Sequence, residues 1–303
     1  LQVLVTGGAG FIGSHLVDAL LGLGHQVMVL DDLSSGKRES LNRGCRLVEG
    51  DIRDRSSVNH CVAGKDVVFH LAAFTSLPES LEDPDSCYDI NVSGTRNLVE
   101  QACLAGVSKF VFSSTSAVYP DYPDTPRSED TPPDPQTPYA QSKLQGEALL
   151  QQFNRDERFS FVALRYFNVY GPRQDPHSQY AAVIPSFLSA SRLQQTLTIY
   201  GSGRQTRDFV YVDDVVGANL AAMDSQACGV YNVGTSLPVS ILSLAETIIN
   251  LTGSSSGYAF APPRRGDALS STADISLALA SLGWRPWWSL ESGLAETIGR
   301  QSA

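Results

Sequence analysis

The chain has 303 residues, of which 42% are hydrophobic and 18% charged. This composition is typical of a globular protein with one large core and a smaller lobe. A net charge of −10 without a basic cluster argues against nucleic-acid binding, and no apolar run reaches the roughly 18 residues that would predict a membrane-spanning helix. The five scattered cysteines form no C-x-x-C pair, so we expect reduced thiols and a cytoplasmic protein. The histidines show no metal-ligand spacing, and no metal site is predicted.

The first predicted element is a buried strand at 2–6, followed by a glycine-rich turn that opens a helix at 11–22. Glycines at such a turn let the backbone approach a pyrophosphate, whose negative charge is stabilised at the helix N-terminus. We therefore expect this turn to bind a dinucleotide through Gly7, Gly10, Phe11, Ile12 and Gly13.

A second strand, at 26–30, ends in two acidic residues, Asp31 and Asp32. A carboxylate at this position accepts hydrogen bonds from the ribose hydroxyls of adenosine and would repel a 2′-phosphate, so NAD is favoured over NADP. The order of strand, glycines, helix, strand and acid predicts an NAD site, with a ligand-free glycine turn as the alternative.

Strand and helix patterns alternate up to about residue 165. Further strands are predicted at 45–49, 66–70, 108–113 and 159–164, and further helices at 55–62, 89–105 and 139–154. This alternation predicts an α/β fold with a Rossmann-type doubly wound parallel sheet.

The segment 119–138, with seven prolines, is predicted to be a surface loop. Beyond about residue 166, loops rich in Gly, Pro and Arg alternate with short elements. We therefore expect an NAD-binding domain at 1–165 and a smaller substrate-binding lobe at 166–303, from which some segments return to the first domain.

Tyr139 and Lys143 lie four residues apart just after a proline, and hence on one face of the predicted helix. An ammonium near a phenol favours the phenolate and lowers its pKa from about 10. That would give a base able to take a proton from an alcohol near neutral pH. An ordinary exposed pair is the alternative for this motif alone, but beside the dinucleotide signature it is a candidate catalytic site.

Together with the segment 112–119 (FSSTSAVY), these motifs resemble the extended short-chain dehydrogenases/reductases. Within them the chain is similar to the NAD-dependent nucleotide-sugar epimerase/dehydratase group, and most of all to UDP-hexose 4-epimerases, particularly those that act on UDP-N-acetylglucosamine. The match covers nearly the whole chain. It implies NAD as cofactor, a UDP-sugar as substrate and a homodimer, in which the helices at 91–105 and 139–154 would form a bundle; packing on the sheet is the alternative for their apolar stripes.

The resemblance implies that Tyr139 is the catalytic base and that Lys143 binds the nicotinamide ribose besides acidifying Tyr139. It places Thr115 where the family has a hydroxyl that bonds the sugar O4, with Ser114 as the candidate if the register is shifted by one. A Ser/Thr run that satisfies backbone groups is the alternative. Further cofactor contacts implied by the resemblance are Asp51 and Ile52 at the adenine, Leu71, Ala72 and Ala73 along the channel, and Tyr166 toward the nicotinamide. Asn91, as a structural and cofactor-side residue, and Ser113 complete the implied cofactor set.

For the substrate diphosphate the resemblance implies Arg207 and Arg264, since the arginine fork suits phosphate oxygens. The other substrate contacts that it implies are Asn168 at the diphosphate or sugar, Val183 and Tyr200 at the uracil, Asp267 at the uridine ribose and Ser271 at the sugar.

Two departures from the family pattern bear on the reaction. Dehydratases follow the active-site Thr with Asp-Glu, whereas Ser116 and Ala117 follow Thr115 here, so elimination of water lacks its acid and base. Epimerases restricted to hexoses tend to have a bulky Tyr where this chain has Ser271, and a small residue leaves room for an N-acetyl group without excluding plain hexoses.

We therefore predict an isomerase, an NAD-dependent UDP-sugar 4-epimerase that interconverts UDP-GlcNAc and UDP-GalNAc and, in a wider reading, UDP-Glc and UDP-Gal. The alternatives are a nucleotide-sugar dehydratase and a UDP-glucuronate 4-epimerase in which Arg173 binds the carboxylate. A non-catalytic NAD-sensing protein is the alternative from another class.

Overall fold

The computed structural model describes residues 1–122, 125–154, 159–175, 182–263 and 268–301. The strands in these ranges are β1 (Gln2–Thr6), β2 (Gln26–Asp31), β3 (Arg46–Glu49), β4 (Val67–His70), β5 (Lys109–Thr115), β6 (Ser160–Tyr166), β7 (Asn168–Tyr170), β8 (Leu197–Tyr200), β9 (Thr206–Tyr211), β10 (Gly229–Val233), β11 (Pro238–Ser240) and β12 (Tyr258–Ala261).

The α-helices in the described ranges are α1 (Phe11–Gly22), α2 (Arg55–Val62), α3 (Leu77–Glu82), α4 (Pro84–Tyr88), α5 (Thr95–Leu104), α6 (Pro138–Phe153), α7 (Val183–Arg192), α8 (Val212–Asp224), α9 (Ile241–Thr252), α10 (Ser276–Leu282) and α11 (Leu290–Gln301). A π-helical turn, Asp89–Gly94, leads into α5. The six predicted strands and four predicted helices are confirmed, with ends that differ by at most two residues when the π-helical turn Asp89–Gly94 is counted together with α5.

A seven-stranded parallel sheet lies at the centre of the fold, in the order β10-β6-β5-β4-β1-β2-β3. Alternate residues of its strands face two separate cores, because successive side chains point to opposite faces. Residues of α1 and α8 share one core with the sheet, and residues of α2, α5 and α6 share the other. The predicted α/β fold with a doubly wound sheet is confirmed.

The second half of the chain forms a smaller layer beyond the carboxyl edge of the large sheet. It contains a three-stranded sheet in the order β11-β9-β7 and a two-stranded sheet of β8 and β12. Residues of α7, α9 and α11 pack around these strands in a third core. The same half of the chain also supplies β10 to the large sheet and α8 to the core beside that sheet. Parts of the second half therefore belong to the Rossmann core.

Candidate active site

The glycine turn between β1 and α1 forms one wall of a cleft of about 370 Å³. Gly7 has a φ of +70°, and a Cβ added there would lie 2.5 Å from the backbone nitrogen of Ala72. A Cβ added at Gly13 would meet the carbonyl oxygen of Gly7, so α1 approaches the turn too closely for any other residue. The cradle has the shape that backbone contact with a dinucleotide pyrophosphate requires.

The two acids that end β2 lie at the same cleft. Asp31 is buried and accepts hydrogen bonds from the backbone nitrogens of Ala9 (2.8 Å) and Leu33 (2.9 Å). Burial raises the pKa of Asp31, and these backbone hydrogen bonds oppose that rise. Asp32 is exposed at the cleft and accepts from Ser34. A negative pair at this position fits the ribose hydroxyls of NAD and disfavours a 2′-phosphate.

Asp51 and Ile52 also line this cleft, on the turn between β3 and α2. Arg53 binds both carboxylate oxygens of Asp51 through Nε (3.0 and 2.9 Å), and its Nη1 donates to Asp89 at 2.7 Å. The hydrogen bonds from Arg53 hold the pKa of Asp51 below its usual value. The turn that carries Asp51 is thereby tied to the π-helical turn, whose residue Ile90 also lines the cleft.

Asn91, in that π-helical turn, supports one wall of the cofactor cleft through hydrogen bonds. Its side chain accepts a hydrogen bond from the backbone nitrogen of Phe74 (2.8 Å) and donates to the carbonyl of Phe74 (3.0 Å) and to Ser142 (2.9 Å). Ala72, Ala73 and Phe74 line the cleft. Asn91 therefore joins the channel wall to α6, the helix that carries the candidate catalytic residues.

Some of the predicted cofactor residues do not line this cleft as the described part of the chain forms it. Phe11 and Ile12 pack against the third core, and Leu71 packs against the core on the α1 side. Lining residues that the sequence prediction omitted are Leu30, Ser34, Ser35, Gly36, Gly50, Phe74, Thr75, Glu79 and Ile90. The Ser-Ser-Gly run soon after Asp32 is a small polar loop that could have indicated part of this set.

Tyr139 and Lys143 lie on the first two turns of α6, as predicted. Thr137 caps this helix, and Pro138 occupies its first turn. The hydroxyls of Thr115 and Tyr139 are hydrogen-bonded. The buried Lys143 donates from Nζ to the carbonyl oxygen of Ser113 at 2.9 Å. The structure thus brings together the end of β5 and the start of α6 at the carboxyl edge of the sheet.

The pKa of Tyr139 differs from the sequence-based expectation. Burial raises it to about 12, and the hydrogen bond from Thr115 acts in the opposite direction. Lys143 is not among the described groups that shift this pKa, because its ammonium is directed to the carbonyl of Ser113. Burial also lowers the pKa of Lys143 to about 8. The structure therefore shows no acidification of Tyr139 by Lys143, and that role stays a prediction.

The structure distinguishes between the two candidate hydroxyls. Ser114 is buried and donates to Glu147 Oε1 at 2.5 Å, whereas Thr115 contacts Tyr139. Neighbouring residues of a strand point to opposite faces, so both hydroxyls cannot face the same group. The sequence alternative Ser114 is engaged elsewhere.

Ser113 and Tyr166 form a second polar group on the α8 side of the sheet. The Ser113 hydroxyl lies 3.1 Å from the Tyr166 hydroxyl, which is also hydrogen-bonded to Asn219 of α8 at 2.8 Å. Burial raises the pKa of Tyr166 to about 12. The phenol expected to approach the nicotinamide is thus held within the fold.

A second cleft, of about 480 Å³, opens between α3 and the smaller layer. Four predicted substrate residues line it: Asn168, Val183, Tyr200 and Arg207. One wall is α3, which the sequence analysis did not predict and which contributes Leu77, Pro78 and Leu81. The hydroxyl of Ser80 in α3 accepts from the backbone nitrogen of Tyr139 at 3.2 Å, so α3 lies at the Tyr139 end.

Four further residues named in the sequence analysis have different outcomes. Arg264 and Asp267 lie outside the described residues. Ser271 donates its backbone N–H to the carbonyl of Thr206, next to Arg207, at 3.2 Å, but it is not among the described residues that line the second cleft. Arg173, considered for a substrate carboxylate, is paired with Asp18 at 2.7 Å.

The described residues contain no cluster of His, Cys, Asp or Glu that could hold a metal ion. In the same part of the chain, none of the helices combines the length and apolar character needed to cross a membrane.

A doubly wound sheet with a glycine-turn cleft, and a Tyr and Lys on the helix above its carboxyl edge, define the fold and site of short-chain dehydrogenases/reductases. The sequence model of the NAD dependent epimerase/dehydratase family matches residues 3–234. The chain belongs to this family, whose cofactor is NAD.

Individual relatives extend this match over the whole chain. A UDP-glucose 4-epimerase of Mycolicibacterium smegmatis is 42% identical over 98% of this chain and 97% of its own length. The crystal structure of a UDP-glucose 4-epimerase of Thermotoga maritima with UDP-glucose has a TM-score of 0.96 and 39% identity, and covers 100% and 99% of the two chains. A UDP-N-acetylglucosamine 4-epimerase of Methanobrevibacter ruminantium, in complex with UDP-N-acetylmuramic acid, has a TM-score of 0.95 and 39% identity, and covers 98% and 97%.

Proposed function

We propose that the protein is a UDP-sugar 4-epimerase that interconverts UDP-GlcNAc and UDP-GalNAc and also accepts UDP-Glc and UDP-Gal. The observation that carries this proposal is the hydrogen-bonded pair of Thr115 and Tyr139. The pair lies beside α3, which forms one wall of the cleft that Asn168 and Arg207 also line. Relatives named for both substrate types, at similar identity, support the broad substrate range.

In this mechanism Thr115 accepts the proton of the sugar 4-hydroxyl as it gives its own to Tyr139, the general base. NAD⁺, when bound, supplies the acceptor for the hydride that leaves C4. Because burial raises the pKa of Tyr139 to about 12, we propose that loss of its proton depends on the hydrogen bond from Thr115 and on a protonated Lys143 one helical turn away. Return of the hydride and the proton to the opposite face of the 4-keto sugar inverts C4, with no net oxidation.

The diphosphate keeps the nucleotide in place while the sugar turns over. Arg207, in the wall of the second cleft, has the side chain best suited to phosphate oxygens, and Arg264 is proposed to assist. Ser271 is not among the described residues that line the second cleft, but its backbone is hydrogen-bonded to Thr206, next to Arg207. We propose that its small side chain leaves room there for a C2 acetamido group.

Two observations favour epimerisation over the alternatives. Thr115 caps the short turn Ser116–Val118, and neither Ser116 nor Ala117 can act as acid or base in an elimination. Arg173 is engaged by Asp18, which weakens the case for a uronic acid substrate.

We further propose a homodimer formed through α5 and α6. The two helices pack side by side, and α6 exposes Gln141, Gln145, Ala148, Gln151 and Gln152. Light scattering on the purified protein would test this, with a mass of two chains expected.

The function is tested by incubating the purified protein, without added NAD, with UDP-GlcNAc, UDP-Glc or UDP-glucuronate in turn. NMR of the sugar should show inversion at C4 of the first two. Loss of water would instead indicate a dehydratase, and inversion of UDP-glucuronate alone a uronate epimerase.

Tyr139→Phe removes the base and should lower kcat by about 10²–10⁴-fold. The matched control is Tyr258→Phe in β12, where the side chain is partly exposed and activity should be unchanged. A Tyr139→Phe variant with nearly full activity would show that this phenol does not carry the proton.

A further inference from the structure

Three polar residues lie side by side on the strands next to the catalytic edge. Ser114 of β5 is in register with Arg165 of β6, which is in register with Asn232 of β10. All three are buried. A parallel sheet covered by helices is usually apolar on both faces, so a buried polar row, one residue before Thr115, calls for a physical reason.

Glu147 of α6 lies over this row and is 2% exposed, while Arg165 is 5% exposed. Oε1 of Glu147 accepts hydrogen bonds from Ser114 (2.5 Å) and from Arg165 Nε (2.9 Å), and Oε2 of Glu147 accepts one from Arg165 Nη2 (2.7 Å). Arg165 also donates to the hydroxyl of Tyr119 at 2.9 Å, and that hydroxyl donates to Asn232 at 2.7 Å. The charges are thus paired and hydrogen-bonded throughout.

Stability alone does not account for such a pair. A buried ion pair costs so much desolvation that replacement by apolar residues is often neutral or stabilising. What the pair provides is geometry, because the bidentate fork fixes both partners in direction as well as distance.

The neighbours of this network are the reacting groups. Glu147 lies one helical turn beyond Lys143, which itself lies one turn beyond Tyr139. Ser114 lies between the Ser113 carbonyl, which receives Lys143, and Thr115, which contacts Tyr139. A displaced Ser114 would move both.

We propose that Glu147, held by Arg165, is a positioning residue of the epimerase, which acts through Ser114 to align Thr115 and the acceptor of Lys143. This role rests on the proposed function of the site.

The charge of Glu147 adds a second consequence. Burial lowers the pKa of Lys143 to about 8, and Glu147 and Cys87 of α4 oppose the fall. The charge of Lys143 also lowers the pKa of His70 of β4. The charge of Arg165 of β6 is paired with that of Glu147. Removal of the Glu147 charge should therefore lower the pKa of Lys143 further.

Ser114→Ala tests the positioning step with the smallest change, since Glu147 keeps both bonds to Arg165. We expect kcat for UDP-GlcNAc to fall about tenfold, because small misplacements of reacting groups are costly, with KM and bound NAD unchanged within twofold. The matched control is Ser160→Ala, at the opposite end of β6, where the hydroxyl contacts Lys109 and Ala227; its kcat should equal that of the wild type.

Glu147→Gln tests the charge. We expect kcat to fall when Lys143 loses its proton. Besides a lower kcat, Glu147→Gln should move this fall to lower pH, a shift that a merely structural role would not cause. Wild-type kcat in Ser114→Ala, or an unshifted pH profile in Glu147→Gln, would overturn the proposal. If Glu147→Gln does not fold, Ser114→Ala decides alone. A wild type that epimerises no UDP-sugar overturns the proposed function and, with it, this role.

Discussion

His70 of β4 connects β1 and α5 through two side-chain contacts. Because this histidine is buried, the stability of the fold should be sensitive to acid. Its Nδ1 lies 2.8 Å from the Thr6 hydroxyl, and its Nε2 lies 2.9 Å from the Thr95 hydroxyl. Thr95 in turn donates to the carbonyl of Asn91. Burial, with a smaller contribution from the charge of Lys143, lowers the pKa of His70 from 6.5 to about 3.

The direction and size of the effect follow from linkage. Above pH 6.5 the imidazole is neutral in both the folded and the unfolded chain, and the contact is fully retained. As the pH falls below 6.5, the unfolded chain binds a proton that the folded chain does not, so the free energy of unfolding decreases until the pH reaches about 3. At pH 5 the difference is about 1.5 pH units, which corresponds to about 2 kcal/mol as an order of magnitude.

The assay is urea unfolding at pH 7 and pH 5 of the wild type and of His70→Asn, whose amide can replace the contact with Thr6 without titrating. Between the two pH values the wild type should lose about 2 kcal/mol more than His70→Asn. His60→Asn, on the exposed surface of α2, is the control and should behave like the wild type. The same loss in wild type and His70→Asn would refute the reasoning.

Two further predictions concern retention of NAD. Gly7→Ala would place a Cβ against the backbone of Ala72 at a φ of +70°, so the variant should be purified without NAD, as measured by absorbance after denaturation. Gly22→Ala, with no atom within 4 Å of its Cβ, should retain NAD. A full content of NAD in the Gly7 variant would contradict the close-approach argument. Arg53→Ala releases the carboxylates of Asp51 and Asp89 and should speed NAD dissociation about five- to tenfold, since a bidentate network is worth somewhat more than the 0–1 kcal/mol of a single surface pair. Arg38→Ala, which breaks an isolated surface pair, should leave the dissociation rate unchanged. Equal rates in the two variants would refute the link.

The local sequence determined the first half of the fold. Apolar runs, helical spacing and the order of glycines and acids predicted six strands and four helices within two residues, because these signals depend on neighbours along the chain. The glycine turn and the start of α6 were predicted for the same reason, since a turn and a single helix are local structures.

Only the tertiary structure decided which groups meet. The choice between Thr115 and Ser114 depends on which face of β5 each hydroxyl occupies, and the raised pKa of Tyr139 depends on burial. The ion pair of Glu147 with Arg165 joins a helix to a strand, and β10 reaches the large sheet from the second half of the chain. These contacts link residues far apart in sequence, and a local pattern carries no information about the partner that packing will supply.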